Sequence, residues 1–341
     1  MNQPPETMRA VKLRSYDGGA DSIVLAEMPV PRPGHGQVLV RMTAAPINPS
    51  DLSFIRGTYG IKKRLPVVPG LEGSGEAVAA GGGLLARYLL GKRVACAAPA
   101  DGDGTWAEFM LAEASHCIPL RKGTDTEQAA TMIVNPFTAW ALLEEAKKLR
   151  AEAVVQTAAA SALGRMIVRL AVARGVHLVN VVRRAEQVEL LKREGAGYVL
   201  DSSADDFDER LRELCTRLRA TVAFDAVAGE MTGRVLNAMP ARSTAIVYGA
   251  LSLQGCVVDP RSLIFQRKSV RGFWLSDWLR RQNALRKFLV AGGIQKLLRD
   301  ELKTEIRARL PLDAAVEGLR EYEREMTGGK IIFVPGATRE T

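Results

Sequence analysis

The sequence predicts an α/β fold in which a parallel sheet with helices on both faces accompanies a second, β-rich domain. Two observations predict it. Residues 154–184 read as a strand, a tight turn, a helix and a second strand, and from about residue 126 onward strand-like and helical segments alternate. Such alternation is typical of a parallel sheet, whose crossovers place helices on its faces. Residues 8–125 instead hold short strand-like runs between Gly and Pro clusters.

A chain of 341 residues is long enough for two domains. The texture of the sequence predicts that residues 126–262 form the parallel-sheet domain, and that residues 1–125 and 263–341 together form the β-rich domain. The β-rich runs are Val38–Met42, Gly75–Val78 and Trp106–Met110, and the tail ends in a strand at Lys330–Val334.

The parallel-sheet domain begins with a strand at Val154, followed by an amphipathic helix. Its apolar stripe has helical spacing and consists of Leu163, Met166, Ile167, Leu170 and Ala171. A second helix near residues 185–194 is predicted to end at Gly195, a typical C-cap. Further strands are predicted at Tyr198–Leu200, Thr221–Phe224 and Ala245–Tyr248.

The turn between the first strand and helix has the layout of a dinucleotide site, in which a pyrophosphate sits on the helix N-terminus. Only Gly164 remains of the usual glycines; Ala158, Ser161 and Ala162 are the neighbouring small residues, and Ser161 could cap the helix and donate to a phosphate oxygen. The alternative is that the small residues only permit close strand–helix packing.

The second strand ends in Arg183 and Arg184, and Arg183 follows Gly164 by 19 positions (183 − 164 = 19). That is close to the roughly 20 residues after which a dinucleotide site usually places the group that contacts the adenosine ribose. An acidic residue there would bind the 2′-hydroxyl of NAD. Two arginines suit a 2′-phosphate instead, so the sequence predicts NADPH as the cofactor.

Composition excludes several other classes. The net charge is +9, but the basic residues are spread along the chain and aromatics are few, so nucleic-acid binding is not expected and attraction of anionic ligands is favoured. No apolar run is long enough to span a bilayer, and the first residues carry no secretory signal. The cysteines are scattered without a CxxC pair, which favours a reducing cytoplasm: Cys96, Cys117, Cys215 and Cys256.

Several separated motifs resemble the medium-chain dehydrogenase/reductase superfamily. They resemble most its zinc-independent quinone oxidoreductase branch and the mitochondrial-type 2-enoyl thioester reductases. The motifs are Ile47–Leu52, Gly57–Gly60, Val68–Gly73, Val134–Ala139, Ser243–Gly249 and Arg271–Trp278. The resemblance implies a Rossmann domain, a GroES-like catalytic domain and a homodimer formed through edge strands of the nucleotide-binding domain.

The zinc branch of that superfamily has Cys and His where this chain has Ala45–Asn48 and Leu71, and its four-cysteine zinc lobe is also missing here. A zinc site needs about four N, S or O ligands. The three histidines are far apart in sequence: His35, His116 and His177. No metal is therefore expected.

The resemblance implies hydride delivery to the β-carbon of an activated alkene, which leaves an enolate oxygen that needs a positioned donor. It places Tyr59 in the active site, where the phenol could bind the oxyanion or protonate the α-carbon. The alternative for Tyr59 is an ordinary turn aromatic between two glycines. Phe273, Trp274 and Leu275 are implied as neighbours of the nicotinamide, whereas Trp278 is interpreted as packing.

The remaining cofactor contacts are also implied by the resemblance. Asn135 either contacts the cofactor or caps a helix, and Lys330 either lies near the phosphate end or is an exposed tail residue. Asn48 and Asp51 are second choices for catalysis, since such side chains usually bond their own turn. Other implied contacts are Ala160, Ser161, Ala162, Leu163 and Gly164 of the pyrophosphate turn, and Tyr248, Gly249, Ala250 and Leu251 on the nicotinamide side.

The sequence therefore predicts an NADPH-dependent reductase of enoyl thioesters or similar α,β-unsaturated carbonyls. A quinone reductase shares every cofactor feature, so it remains the alternative enzyme. The non-enzymatic alternative is a cofactor-binding structural or RNA-binding protein, which no aromatic-basic motif in the sequence supports.

Overall fold

The computed structural model describes residues 4–16 and 18–337. The chain folds into two compact units. Unit 1 contains residues up to Val134 together with Ala291–Leu298 and the segment from Lys303 onward; unit 2 contains Asn135–Val290 and Arg299–Leu302.

Fifteen strands form three sheets in the described part of the chain. They are β1 Thr7–Leu13, β2 Ile23–Pro29, β3 Gln37–Pro46, β4 Glu72–Ala80, β5 Arg93–Ala97, β6 Phe109–Glu113, β7 Cys117–Pro119, β8 Ala153–Gln156, β9 His177–Val182, β10 Tyr198–Asp201, β11 Ala220–Asp225, β12 Thr244–Val247, β13 Ser269–Gly272, β14 Ile306–Leu310 and β15 Lys330–Phe333.

Twelve α-helices accompany them in residues 4–16 and 18–337. They are α1 Pro49–Ile55, α2 Leu84–Leu89, α3 Thr126–Ala130, α4 Val134–Lys148, α5 Ala162–Ala173, α6 Ala185–Arg193, α7 Phe207–Arg217, α8 Glu230–Ala238, α9 Pro260–Ile264, α10 Leu275–Arg280, α11 Ala284–Leu297 and α12 Ala315–Arg324. None of the described helices is both long and apolar enough to span a membrane.

Unit 2 is built on a six-stranded, fully parallel sheet in the order β10-β9-β8-β11-β12-β13. The first strand of this unit, β8, lies in the middle, and the order reverses between β8 and β11. This is the Rossmann arrangement, in which ligands bind outside the carboxyl ends of the strands at the reversal. The predicted fold class is confirmed.

The central strands of this sheet are buried because helices cover both faces. All four residues of β8 are buried, as are the last five of β9. A continuous apolar run without alternation is the expected signature of such strands. The predicted helix stripe on α5 is also buried, from Met166 to Ala171, and Gly195 ends α6 with φ +88°.

Unit 1 is β-rich. Its seven-stranded sheet has the order β14-β15-β3-β4-β5-β7, with β6 also pairing with β3, and β1 and β2 form a hairpin. A large core contains Trp106 and Phe333, whose rings meet edge to face at 5.0 Å. The strand predicted at Trp106–Met110 begins instead at Phe109.

The predicted domain boundary at residue 263 needs correction. The segment Ser269–Gly272 forms β13 and adds a sixth parallel strand to the sheet of unit 2, in register with β12. Unit 2 therefore runs to Val290 before the chain returns to unit 1. This strand could not be predicted from the sequence, because it is short and has a single large apolar residue, Val270.

Candidate active site and cofactor site

The turn after β8 has the construction of a pyrophosphate site. Ser161 is the N-cap of α5, and its hydroxyl oxygen accepts a hydrogen bond from the Gly164 amide at 3.1 Å. A Cβ placed on Gly164 would lie 2.4 Å from the Ala159 carbonyl oxygen, so only glycine lets the helix approach the turn this closely. The helix thus presents its first-turn amides and positive dipole end at the carboxyl edge of the sheet.

The other predicted residues of this turn differ in their exposure. Ala160 and Gly164 are buried, whereas Ser161, Ala162 and Leu163 are partly exposed at the helix N-terminus. Ala158 has φ +49°, a left-handed conformation that a glycine would adopt without strain. In this glycine-poor turn, an alanine therefore adopts the left-handed conformation that a glycine usually supplies.

The two arginines lie where β9 ends, next to the reversal in strand order. Arg183 is exposed, and among the described residues its guanidinium has no ion-pair partner. Arg184 Nε lies 3.0 Å from Glu186 Oε1, and both side chains are solvent-exposed. The two residues therefore differ: the guanidinium of Arg183 is available to an anion, whereas that of Arg184 already has a partner.

The segment after β12 carries the predicted nicotinamide-side residues, Tyr248, Gly249, Ala250 and Leu251. Tyr248 N–H donates to Asp225 O at 2.9 Å, and Leu251 N–H donates to Ala226 O at 3.0 Å. The Tyr248 hydroxyl is buried and finds no hydrogen-bond partner in the part of the chain that the structure describes. Burial raises the pKa of this phenol well above its ordinary value, so it stays protonated.

The predicted aromatic segment follows β13. Phe273 N–H donates to Val247 O at 2.8 Å, which places Phe273 beside the carboxyl end of β12. Trp274 is the N-cap residue of α10, with the Arg280 guanidinium 5.3 Å from its ring centre, and Leu275 begins that helix. Trp278 is only 6% exposed, in agreement with its packing interpretation.

In unit 1, Tyr59 follows α1 in a turn that the helix end fixes. The Tyr59 and Thr58 amides both donate to the Ser53 carbonyl, at 3.1 and 2.9 Å. Gly57 has φ +70°, and a Cβ there would come within 2.9 Å of Tyr16 Cβ. Tyr59 itself is half-buried against the apolar core of unit 1. The turn glycine and the helix end therefore fix the backbone that presents Tyr59.

A buried polar cluster lies next to α1. Asn48 caps this helix, and its Nδ2 donates to Glu72 Oε1 at 3.0 Å. Asp51 accepts from the backbone amides of Asn48 and Leu71, at 2.8 and 2.9 Å. Lys330 Nζ donates to the Ile47 carbonyl at 2.9 Å and to the Asn48 side-chain oxygen. We call Asn48, Asp51, Glu72 and Lys330 the buried quartet.

The quartet corrects both interpretations of Lys330. Lys330 is only 1% exposed, so it is not an exposed tail residue, and its ammonium bonds to protein groups instead of facing a surface where a cofactor phosphate could reach it. The reason is that β15 lies between β14 and β3 in the sheet. Asn48 and Asp51 form a capping box, which confirms the interpretation that they bond their own turn.

Burial shifts the pKa values within the quartet towards the neutral forms. It raises the pKa of Asp51 to about 7, with the Lys330 ammonium and the Asn48 amide opposing the rise. It raises the pKa of Glu72 as well, and it lowers that of Lys330 to about 8 against the attraction of Glu72 and Asp51. The pKa values of Asp51 and Lys330 therefore lie close to neutral pH.

Asn135 lies in the first turn of α4 and is 6% exposed. It is not the N-cap, since α4 begins at Val134, and the alternative interpretation as a cap is wrong. The amides of Ile133 and Val134 donate instead to Glu72 Oε2, each at 2.9 Å. Glu72 thus binds the start of the helix that carries Asn135.

The residues present fit a phosphorylated dinucleotide. Three features support this fit: the glycine-dependent approach of α5 to its turn, the helix N-terminus behind Ser161, and the exposed guanidinium of Arg183 at the ribose position. Within the described residues, no group of three or more His, Cys, Asp or Glu side chains could hold a metal ion. A shallow cavity of about 200 Å³ lies at the opposite, amino-terminal end of β9 and β10.

Three buried polar residues near the candidate site were not predicted from the sequence: Thr157, Asp225 and Glu72. Asp225 is the last residue of β11 and is fully buried, and Thr157 directly follows β8. A polar residue at the carboxyl end of a buried parallel strand is the signal that would have found Thr157 and Asp225. Glu72 lies in a motif used for the family resemblance, but its partners are distant in sequence.

Two family models match the chain. "Alcohol dehydrogenase GroES-like domain" matches residues 34–122, and "Zinc-binding dehydrogenase" matches residues 162–290. The fold and the site thus define a Rossmann-type dehydrogenase or reductase with a GroES-like domain.

Relatives of known function show to which branch of this family the chain belongs. The mitochondrial enoyl-[acyl-carrier-protein] reductase of Bos taurus is 31% identical over 279 residues, which are 80% of this chain and 74% of that protein. The corresponding enzyme of Arabidopsis thaliana is 34% identical, over 77% of this chain and 71% of that protein. The chain belongs to the medium-chain dehydrogenase/reductase superfamily and, within it, to the branch of quinone oxidoreductases and mitochondrial-type enoyl thioester reductases, as its motifs predicted.

Solved structures of quinone reductases and related proteins have the same fold as this chain. A putative NADPH:quinone reductase from Mesorhizobium loti superposes with a TM-score of 0.91 at 37% identity, covering 98% of this chain and all of that one. A mycobacterial protein solved in complex with NADPH superposes with a TM-score of 0.84 at 27% identity, covering 96% of this chain and 100% of its own.

Proposed function

We propose that this protein is an NADPH-dependent reductase of the carbon–carbon double bond in enoyl thioesters or similar α,β-unsaturated carbonyls. The observation that carries the proposal is the similarity to enoyl-[acyl-carrier-protein] reductases over 80% of the chain, which includes segments of both units. Tyr59 lies within the segment that the GroES-like family model matches, and Ala162, Leu163 and Gly164 lie within the segment that the dehydrogenase model matches.

Arg183 supports NADPH over NADH. Its exposed guanidinium is available to a 2′-phosphate, and a charge-assisted, two-pronged hydrogen bond to phosphate is a strong interaction. In this proposal the amides of Ser161, Ala162 and Leu163, at the start of α5, bind the pyrophosphate, and the segments Tyr248 to Leu251 and Phe273 to Leu275 border the nicotinamide. When bound, NADPH supplies the hydride that the double bond accepts.

Tyr59 supplies the donor in this proposal. Its phenol hydrogen-bonds the thioester oxygen as charge develops there, and it or a water then protonates the α-carbon. The turn after α1 fixes the backbone at Tyr59, because the amides of Thr58 and Tyr59 both donate to the Ser53 carbonyl. The proposal requires no metal at this step.

The test compares NADPH oxidation by the purified protein with crotonyl and longer enoyl thioesters beside simple quinones. The proposal expects kcat/KM for the thioesters to exceed that for quinones by at least tenfold. Turnover of quinones alone would replace it with the alternative, NADPH:quinone oxidoreduction, which the 37% identity to the Mesorhizobium loti structure favours. NADPH binding without turnover of any acceptor would favour the non-enzymatic alternative, a structural or RNA-binding protein.

The same proposal includes a homodimer. β13 forms the edge of the parallel sheet, and no described strand pairs with its outer side. The residues that lead into it are apolar and exposed: Ile264 is 66% and Phe265 78% exposed. A second copy pairing along β13 would cover both the strand edge and these side chains.

Light scattering tests the dimer by mass, since one chain weighs 37.0 kDa. Replacing Ile264 and Phe265 with Ser is expected to give monomers. The same change at Leu285 and Phe288, which are equally exposed on α11 of the same unit, is the matched control and should leave the dimer intact. A wild-type mass of one chain would refute the dimer.

A cytoplasmic location without membrane or nucleic-acid partners completes the proposal. It is supported by four free thiols among the described residues, which suit a reducing compartment. Fractionation of the source cells, followed by detection of the chain in each fraction, tests it.

A further inference from the structure

Asp225 accepts hydrogen bonds from four groups at the carboxyl end of β11. Thr157 Oγ1 donates to Oδ1 at 2.8 Å and Thr232 Oγ1 donates to Oδ2 at 2.6 Å. The amides of Val227 and Ala228 donate to Oδ1 at 2.9 and 3.2 Å. Asp225, Thr157 and Thr232 are all 0% exposed. A buried carboxylate with this many donors is held in one orientation, because any rotation would leave a donor unpaired.

The contact with Thr157 joins the two strands between which the sheet order reverses. β8 and β11 are adjacent and parallel, and Thr157 and Asp225 lie at their carboxyl ends. The Thr157 hydroxyl also accepts the Ala226 amide at 2.9 Å, and Thr157 N–H donates to Phe224 O at 3.0 Å. Three hydrogen bonds therefore tie Thr157 to residues 224–226.

Thr157 is followed directly by the strained residue of the pyrophosphate turn. Ala158 has φ +49°, a left-handed backbone conformation that alanine rarely adopts. Such a conformation persists only where its neighbours determine it. On the far side of Ala158, the Ala159 amide donates to Val181 O at 3.1 Å. The two flanking residues, Thr157 and Ala159, thus hold the turn in place.

The same stretch of β11 also holds the nicotinamide-side segment. The Tyr248 amide donates to Asp225 O, and the Leu251 amide donates to Ala226 O. A Cβ on Gly249 would lie 2.9 Å from Ala226 O, so the segment passes close against residues 225–226. Asp225 and Ala226 are the common support of both halves of the dinucleotide site.

From these contacts we infer that Thr157 and Asp225 are positioning residues for the dinucleotide: their hydrogen bond fixes the pyrophosphate turn against the nicotinamide-side segment before the cofactor binds. The inference rests on the proposed use of NADPH. It predicts that loss of the Thr157 hydroxyl weakens binding of the dinucleotide while leaving the chemistry of bound complexes unchanged. Neither side chain needs to touch the cofactor for this effect.

The chain offers a sharp set of variants. Thr157→Val keeps the side-chain shape and removes the hydroxyl, whereas Thr157→Ser keeps the hydroxyl. Thr244→Val is the matched control, since the Thr244 hydroxyl bonds Ser269 Oγ at 2.9 Å at the opposite, amino-terminal end of the same sheet. Kd is measured by calorimetry for NADPH and for 2′-phospho-ADP-ribose, which lacks the nicotinamide, and kcat is measured at saturating NADPH.

We expect Thr157→Val to raise both Kd values at least tenfold with kcat within about twofold of wild type. Thr157→Ser and Thr244→Val should bind within about twofold of wild type. Unchanged Kd values for Thr157→Val would overturn the inference, as would equal weakening by Thr244→Val, which would indicate a general loss of stability. Failure of wild-type protein to bind NADPH would instead refute the proposed function.

If Thr157→Val does not fold, as judged by thermal unfolding of the free protein, the variant Thr232→Val tests the inference instead. This variant leaves Thr157 in place but removes the bond that orients Asp225 Oδ2. We expect it to raise Kd for NADPH at least threefold, and an unchanged Kd would overturn the inference.

Discussion

The position that a Cβ would take on Gly164 lies 2.4 Å from the carbonyl oxygen of Ala159. Real side chains do not approach a carbonyl oxygen this closely, so a methyl group here must push α5 away from the pyrophosphate turn. Of the three glycines that a dinucleotide loop normally has, this chain retains the one that permits helix–strand packing. The closeness therefore explains why Gly164 is the last glycine of the loop.

Gly164→Ala is expected to weaken NADPH binding at least tenfold and to lower the thermal stability of unit 2. The displaced helix no longer aims its first-turn amides at the phosphates. Gly197→Ala is the control, because a Cβ on Gly197 of the same unit meets nothing within 4 Å. Calorimetric titration with NADPH and thermal unfolding measure both effects, and equal behaviour of the two variants would contradict the packing role of Gly164.

The Rossmann part of the fold was predictable because its signals are local. The run from Val154 to Val182 has a buried strand, a capped helix with one apolar stripe and a second buried strand, and each follows from residues near one another in sequence. β13 was not predictable, since its four residues hold little apolar surface and it is a strand only through pairing with β12.

The residues of the candidate site also fall into those that could be predicted from the sequence and those that could not. Ser161, Gly164 and Arg183 follow from spacing along the chain. The roles of Thr157 and Asp225 do not, because they depend on two strands, 68 residues apart, becoming neighbours. Lys330 was misjudged for the same reason: nothing near it in sequence indicates that β15 lies between two strands and places its ammonium beside Asn48.

Tyr59→Phe is expected to lower kcat for enoyl thioesters about a hundredfold, since removal of one oxyanion donor costs on the order of 3 kcal/mol in the barrier. NADPH binding should not change, because the phenyl ring keeps the packing of Tyr59 against the core of unit 1. Tyr88→Phe, at an exposed tyrosine of α2, is the control. Steady-state kinetics at saturating NADPH measure kcat for each variant. A kcat of Tyr59→Phe equal to that of the wild type would remove Tyr59 from the mechanism.

Arg183→Gln is expected to raise KM for NADPH about 10- to 100-fold and to leave KM for NADH unchanged. A hydrogen bond to a charged group contributes roughly 1.5–3 kcal/mol, and the 2′-phosphate is the only part of the cofactor that differs. Arg219→Gln is the matched control, since Arg219 pairs with Glu152 at the amino-terminal edge of the sheet, at 3.3 Å. An equal rise for both cofactors would place Arg183 away from the 2′-phosphate.

One thiol per chain is expected to react rapidly with a thiol reagent at pH 8. Burial raises the pKa of Cys117 and of Cys215 to about 12, and that of Cys96 well above its ordinary value, so these thiols stay protonated and covered. Cys256 is exposed. Absorbance after addition of an aromatic disulfide counts the fast thiols, and Cys256→Ser should remove them all. Two or more fast thiols in the wild type would contradict the burial of the other three.

The buried quartet should make the stability of unit 1 depend on pH in a direction that its pKa shifts fix. The folded-state pKa of Asp51, about 7, lies above its ordinary value of 3.8. The contribution of Asp51 to the free energy of unfolding is therefore largest below about pH 4 and is lost as the pH rises through 7. The pKa of Lys330 is lowered from 10.5 to about 8, so between these pH values the unfolded chain binds this proton and the folded chain does not. The free energy of unfolding therefore rises again between about pH 8 and 10.5.

Lys330→Met should therefore cost more at pH 8 than at pH 5. It leaves Asp51 and Glu72 buried without their cation, and an uncompensated buried charge costs about 3–5 kcal/mol. At pH 5 the protonated form of Asp51 removes much of that penalty. Hydrogen exchange of the β3 and β15 amides at the two pH values measures the stability around the quartet, with Lys122→Met, an exposed lysine of unit 1, as the control. A cost that does not change between pH 5 and pH 8 would show that Lys330 acts through packing alone, because only an ionic role makes the loss of its charge depend on the protonation of Asp51.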